Sequence, residues 1–409
     1  MTLVVACACN HARVTATGRS ERVGKSKKRR APLWARISVV AGVLLLVPGG
    51  GAVVAGQTLL SDYTDQVTDN SLLKDIDAPA EAVTPKREVD INGPLNLLLV
   101  GIDPRDDKTA PLADSIVIAH IPRDRHSAYL FSMPRDLYVD IPAFKASGTG
   151  ADTTKINAAM SYGSRLKNGG FSPEQGFQLL AKTVSNRTGI KAFDAGAIIN
   201  FGGFKKIVEA MGGVDMVIDM DVKSEHLKPD GSTRDRIPAC QGHHRCVHPY
   251  TGPQKFYKKS DKPVHLKAWE ALDYVRQRYE FKGGPKMGDY DRQRHQQQFI
   301  RAMAKQAMSK SVVSDPAKLL KVMDAAGESL TFAGGGHTIV DWAVELQSIN
   351  VDDMVTVNLP GGGVYSQDGR REYLGERFNE EVDDFFKAVT EDRVAAFLLD
   401  HPGFVNQDQ

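Results

Sequence analysis

Leu95-Asn-Leu-Leu-Leu-Val-Gly-Ile-Asp-Pro-Arg105 is the stretch that decides the fold class. Five of its first six residues are apolar, and the run stops at Gly101, just before the charged Asp103 and Arg105. A short apolar run bounded by turn residues reads as a strand covered on both faces. Two more strands follow at Ser115–Ile121 and Ser127–Ser132, separated by the charged turn Pro122–His126. Helical spacing marks Ile156–Tyr162, Pro173–Thr188 and Phe204–Met211, and Met216–Met220 reads as a strand after Gly212-Gly213. Leu266, Trp269, Leu272 and Val275 recur every three positions and line one helix face. Strands alternating with helices predict an α/β layered domain over about 94–310. Residues 311–409 add a helix, the Gly334–Gly336 loop, a strand near Met354–Leu359 and a helix over Phe385–Leu399, and either complete that domain or extend it.

Toward the N-terminus the composition changes sharply. The 409 residues are 42% hydrophobic and 25% charged with a net charge of +2, which excludes collagen, a disulfide-dense mini-protein and a mostly disordered chain. That total hides a split. Residues 1–36 hold nine Lys/Arg against Glu21 alone, a charge of +8, and the remaining 43 basic and 49 acidic residues sum to −6. From Ile37 to Ser61 no residue is charged. As a helix rising about 1.5 Å per residue, such a run covers the roughly 30 Å of a bilayer core. Lys27–Arg30 on its N-terminal side predicts a cytoplasmic tail (1–36), a single transmembrane anchor (37–61) in the cytoplasmic membrane and an extracellular body. A buried core helix rarely runs this long behind a basic block. A cleaved signal peptide near Val53–Ala55 is the other reading, disfavoured because the run exceeds a typical h-region. Residues 62–93, polar with scattered proline, read as a stalk. Cys7 and Cys9 fall in the tail; Cys240 and Cys246 fall in the body, where an oxidising compartment favours a disulfide. The alternative there is metal, since Cys240-Gln-Gly-His-His-Arg-Cys246-Val-His248 supplies two Cys and three His, although without standard zinc spacing.

The chemistry lies in Asp and Arg residues at strand ends and on one late helix. Asp103 and Arg105 follow the first strand, Asp114 precedes the second, Arg135-Asp136 follows the third, and Lys155 opens the next helix. Arg276 and Arg278 come later, then Asp289, Asp291, Arg292, Arg294 and the run Gln296–Gln298. Loops at one edge of an α/β sheet converge on a shared crevice. Two carboxylates there suit a hard cation such as Mg²⁺, and several guanidinium groups suit phosphate oxygens. Each pair alone is weak, because an isolated surface Arg–Asp pair is worth only about 0–1 kcal/mol. No Walker loop, nucleophile elbow or zinc-protease helix is present, and no helix-turn-helix or other nucleic-acid motif is visible, so no nucleic-acid partner is expected.

As an ordered set these pieces resemble the LytR–CpsA–Psr (LCP) family of bacterial cell-wall enzymes. The matching stretches are LNLLLVGIDPR (95–105), ADSIVIAHIPR (113–123), LFSMPRDLYVDIP (130–142), KINAAMSYG (155–163), MGGVDMVID (211–219), LKAWEALDYVRQRY (266–279) and DYDRQRHQQQFI (289–300). The resemblance implies a three-layer α/β/α sandwich around a mixed sheet, with an elongated apolar pocket for a polyprenyl chain. It implies transfer of a glycopolymer from a polyprenyl-pyrophosphate carrier to a peptidoglycan hydroxyl. A hydrolase acting on the same carrier and a non-catalytic lipid-binding regulator are the other function classes. Asp103 and Asp114 match the family's magnesium-associated aspartates. Arg135, Lys155, Arg276, Arg278, Arg292 and Gln296 match positions that contact the pyrophosphate, and Arg105 matches a further charged position beside it. Asp103, Asp114, Arg135, Arg276 and Arg278 are thereby the expected catalytic set. The last motif reads Asp289-x-x-Arg292-x-x-His295-Gln296, with a histidine where the family often has a second arginine. That substitution leaves one phosphate contact open, and His295→Arg is expected to leave transfer near wild type with flatter pH dependence between about pH 6 and 8.

Overall fold

Both faces of the opening strand are covered, as its apolar run requires. β1 (Leu95–Ile102) turns Leu98, Val100 and Ile102 into one buried cluster, while Leu95, Leu97 and Leu99 pack in another. It lies inside a six-stranded mixed sheet with β2 (Ala113–Ile121), β3 (Ala128–Ser132), β6 (Ala195–Asn200), β9 (Leu330–Ala333) and β10 (Met354–Val357), in the order β9-β6-β1-β2-β3-β10. β1 runs parallel to β6 and antiparallel to β2, and β3 runs antiparallel to β2 and parallel to β10. These directions bring the ends of β1, β3, β6 and β10 and the start of β2 to one edge of the sheet. The computed structural model describes Asn70–Leu73 and residues 91–406 apart from 92, 105–107, 241–245, 247, 314, 328–329, 339–340, 343–344, 347–348 and 369. The basic tail with Cys7 and Cys9, the uncharged run 37–61 and Arg105 lie outside the described residues. Among the described residues no helix is long and apolar enough to cross a membrane.

One sheet face packs against α1 (Asn157–Ser164), α2 (Pro173–Thr188), α6 (Glu381–Thr390) and α7 (Val394–Asp400). α2 forms where the spacing predicts it. Ser172 accepts from the Gln175 N–H, Pro173 opens the helix, and Gly189 closes it at φ +75°. Its buried Phe177 lies over Gly196 of β6, where a Cβ would come within 2.6 Å of the ring. On the other face α3 (Phe201–Met211) meets β6 and α5 (Asp289–Ala307) meets β2, β3 and β10, with α4 (Ala268–Tyr274) packed on α3 and the Phe204 and Phe299 rings tilted, their centroids 4.4 Å apart. Smaller strand pairs flank the sheet: β4 (Tyr138–Ile141) with β5 (Asp152–Lys155), β7 (Val214–Ile218) with β8 (Ser260–Leu266), and β11 (Gly361–Tyr365) with β12 (Tyr373–Phe378).

One expected boundary and one expected element differ from the structure. Within the expected stalk, Asn70–Leu73 forms a 3-10 turn whose Leu72 is wholly buried in the main core, so this piece belongs to the domain. Beyond residue 310, β9 and β10 form both edges of the central sheet, so residues 311–409 complete the same sheet as β1–β3 and β6. The expected single helix over Phe385–Leu399 is two helices, broken at Asp392, which sits at φ +54°.

Candidate active site

A local irregularity places the first carboxylate. Gly101 pairs with Ser115 and Ile102 with Ala113, which leaves Asp114 as the extra residue of a β-bulge. Bulges re-aim side chains, and Asp114 faces the loop after β3, where Arg135 Nη1 donates to its Oδ1 at 2.6 Å. The next residue, Ser115, donates from Oγ to Gln296 Oε1 of α5 at 2.9 Å. Asp103 leaves the end of β1 and accepts from Arg276 Nη2 at 2.9 Å, and the same guanidinium lies 4.6 Å over the Phe201 ring at the start of α3. Asp103 and Asp114 thus stand at adjacent strand ends, each with one oxygen held by an arginine.

Arg292 lies on the Asp114 side of this pair. It is nearly buried on α5 and forms an ion pair with Asp289 at 2.6 Å, one turn earlier. Burial, together with the neighbouring guanidinium groups of Arg135 and Arg278, pushes its pKa down despite Asp289 and Asp114. Arg135 moves the other way: burial works against its charge, but Asp114, Asp136 and Asp289 more than compensate. Among the described residues the buried Nε–H groups of Arg135 and Arg292 have no hydrogen-bond partner. Orphaned buried donors are uncommon, and two on neighbouring cations suit an oxyanion. Lys155 approaches from the Asp136 side at 3.5 Å, because the Ile156 N–H donates to Leu137 O and the Asn157 N–H to Arg135 O.

Arg276 and Arg278 are held by a residue that motif reading passed over. Gln277, between them, is buried; its Nε2 donates to the Asp273 backbone and side chain at 2.9 and 2.8 Å, and its Oε1 accepts from the Glu225 N–H at 2.9 Å. Asp273 also accepts from Ser224 and Tyr257, and burial still pushes its carboxyl up. This network turns Arg276 and Arg278 to one side, Arg276 to Asp103 and Arg278 Nη2 onto the Tyr279 hydroxyl at 2.9 Å. In the sequence Gln277 shows only as a polar residue between two arginines, with nothing to mark it as buried.

Of the expected set, the structure gathers Arg135, Arg278, Arg292, Asp114 and Gln296 closely, with Arg276–Asp103 on one flank and Lys155 on the other. His295 is a correction. It points away from Arg135 and Arg292 into the core, wholly buried, stacked 4.4 Å from Tyr274 and donating from Nε2 to Asp219 Oδ1 at 3.0 Å. It lies three positions after Arg292, but the helix turns its side chain toward Asp219, just after β7. Cys240 and Cys246 are joined in a disulfide with Cα atoms 5.8 Å apart. For a metal, Asp103 and Asp114 offer two carboxylates, and among the described residues no group of three or more His, Cys, Asp or Glu converges to hold an ion alone. Two carboxylates fit Mg²⁺, which commonly keeps waters and takes further ligands from substrate phosphates.

Known proteins resemble this chain in both sequence and fold. The family described as LytR_cpsA_psr matches residues 60–386. The chain is 28% identical over 315 residues to the probable cell wall biosynthesis protein LcpB of Corynebacterium glutamicum, covering 74% of this chain and 59% of that protein. It is 27% identical over 279 residues to the polyisoprenyl-teichoic acid–peptidoglycan teichoic acid transferase TagU of Bacillus cereus, covering 68% and 71%. The crystal structure of Bacillus subtilis TagV superposes with a TM-score of 0.50 at 23% identity, over 74% of this chain and 98% of that one, a likeness of fold. On the match over most of its length, the chain belongs to the LytR_cpsA_psr family.

Proposed function

We propose that this protein moves a glycopolymer from a polyprenyl-pyrophosphate carrier to a hydroxyl of peptidoglycan. The observation that carries the reading is the pair of buried, unpartnered Nε–H donors on Arg135 and Arg292, set beside Asp114 at the sheet edge. TagU of Bacillus cereus, a relative by sequence, is named for transfer of polyisoprenyl-linked teichoic acid to peptidoglycan. In this chain Arg135 and Arg292 would grip the non-bridging oxygens of the pyrophosphate, with Lys155 and Arg278 at the sides and Arg276 swinging from Asp103 onto the leaving phosphate. Preorganised cations of this kind stabilise the charge that develops during phosphoryl transfer. Gln296, fixed by Ser115, holds α5 in register with β2. Mg²⁺, held by Asp103 and Asp114 with phosphate oxygens, would supply Lewis-acid neutralisation of the same charge.

The finer architecture belongs to the same proposal. Helices on both sheet faces make a three-layer α/β/α sandwich, and residues 37–61 form the single anchor that keeps it at the outer surface of the cytoplasmic membrane. The Cys240–Cys246 disulfide supports an extracytoplasmic body, since such bonds persist in oxidising compartments. The test uses the full chain in detergent with labelled lipid-linked polymer and Mg²⁺, with and without peptidoglycan. Acceptor-dependent attachment that disappears in Arg135→Ala is expected. Release without acceptor makes the protein a hydrolase, and full activity in Arg135→Ala removes the site.

A further inference from the structure

The hairpin β11–β12 carries one more carboxylate to the rim of the site. The Glu376 N–H donates to Asp136 O at 2.7 Å, so its backbone lies against the loop that presents Arg135. Gly375, the preceding residue, makes that approach possible, because a Cβ there would collide with Asp136 O. Glu376 Oε1 accepts from the Tyr373 hydroxyl at 2.6 Å, and Tyr290 of α5, next to Asp289, stands 3.5 Å from Oε2. Tyr373 in turn lies 4.9 Å beneath Lys155 Nζ. Gly361 permits the hairpin to close on Tyr290, since a Cβ would come within 2.6 Å of its hydroxyl.

The other carboxylates of the site are committed to cations: Asp103 to Arg276, Asp114 to Arg135, Asp136 to Lys155 and Asp289 to Arg292. A proton accepted by any of those four would break an ion pair. Among the described residues Glu376 has only neutral phenols as partners, and Oε2 keeps just the long contact. We propose that Glu376 is the general base of the transfer, taking the proton from the acceptor hydroxyl on Oε2 while Tyr373 and Tyr290 orient its carboxylate. The inference rests on the transferase reading above. In the step, the acceptor O–H proton passes to Glu376 and the acceptor oxygen forms a bond to the sugar-side phosphorus. The bond from that phosphorus to the bridging oxygen breaks, and its electron pair leaves on the polyprenyl phosphate. Glu376 then returns the proton to water. The groups facing this carboxylate are Tyr373 on its own strand, Tyr290 and Asp289 on α5, Asp136 after β3, and Lys155 of β5 above Tyr373. Burial and Glu376 push both phenols above their ordinary range, so they remain donors across neutral pH.

The test measures kcat, KM and carrier binding for the full chain in detergent, using labelled polyprenyl-pyrophosphate-linked polymer and peptidoglycan. Wild type and Arg135→Ala come first, since absence of acceptor-dependent transfer in wild type defeats the transferase reading itself. With that in hand, Glu376→Gln is expected to lower kcat by about 10²–10⁴ and flatten the acidic limb of the pH profile, with carrier binding kept within about twofold. A kcat within about threefold of wild type, or a loss matched by lost carrier binding, overturns the assignment. Tyr373→Phe gives a second reading should Glu376→Gln fail to fold. Removing a hydrogen bond to the charged form moves the acidic limb to higher pH, and an unmoved limb overturns the proposal.

Discussion

Asp219 and His295 show how completely one residue's surroundings decide its role. Asp219 is buried and accepts from His295 Nε2, from the Tyr274 hydroxyl at 3.1 Å, from Arg294 Nε at 2.6 Å and from Gln298 Nε2 at 3.1 Å. Burial alone would raise its carboxyl, but His295 and Arg294 outweigh it and hold the pKa well below the usual carboxylate range. A depressed folded-state pKa means stability that is complete above the unfolded value, about 3.9, and is lost as pH falls below it. Asp219→Asn is therefore expected to lower stability at neutral pH by about 3–5 kcal/mol, the usual result of removing one partner of a buried ion pair. Urea unfolding should show the gap to wild type narrowing below about pH 4; a gap independent of pH would remove Asp219 as the source. The same surroundings overturn the expectation for His295→Arg. A longer, charged side chain in a fully enclosed site forces repacking against Tyr274, at a cost of at least about 2 kcal/mol. Its melting midpoint should fall while the carrier affinity of the folded fraction stays unchanged, whereas a gain in affinity would put the side chain back at the phosphate.

Helix α5 and the turn after α4 divide their residues among separate tasks, which motif reading cannot show. On α5, Arg292 and Gln296 face the strand ends and His295 faces β7. Gln297 reaches Ser132 Oγ at 2.9 Å and Val357 O at 3.2 Å, tying β3 to β10. The turn after α4 depends on Gln277, and Gln277→Ala would leave the Glu225 N–H without its acceptor and remove one of the donors to Asp273. About 1–3 kcal/mol of lost stability is expected, together with weaker carrier binding as Arg276 and Arg278 lose their fixed direction. Calorimetry alongside carrier titration checks both, and unchanged binding would show that the two arginines are held by something else. Local signals made much of the fold legible: the apolar run of β1, the helical spacing of Pro173–Thr188 that became α2, and the strand-end positions of Asp103, Asp114 and Arg135. Helical phase is what misled at His295, because a motif position specifies a residue's place along the chain and not the face it occupies. Gln277 and Glu376 were illegible for another reason: each acts through partners more than 50 residues away in sequence, Glu225 for the first and Asp136 with Tyr290 for the second.

At the scale of the whole molecule, the central sheet closes only when the last hundred residues return to it. β9 pairs with β6 and β10 with β3, so the chain beyond 310 supplies both edges. The same segment brings Phe385 and Phe386 onto Phe131, the former edge-on at 5.1 Å, and Val382 and Val389 into the main cluster. Even the final described residues take part: the Asn406 N–H donates to Thr356 O, and Asn406 Nδ2 donates to Gln297 Oε1 at 3.1 Å. Composition could not reveal this, since Leu330–Ala333 is a short apolar stretch whose partner lies about 130 residues earlier. Burying each large side chain contributes roughly 1.5–3 kcal/mol, and domains of this kind hold only about 5–15 kcal/mol in all. Ending the chain after residue 310 removes several such side chains at once and leaves β3 and β6 as open, apolar edges, which are templates for association. That truncated chain should show no cooperative thermal transition and should aggregate. A soluble product that melts cooperatively and still binds the polyprenyl-pyrophosphate carrier would instead make residues 311–409 an accessory, and the smaller domain the complete folding unit.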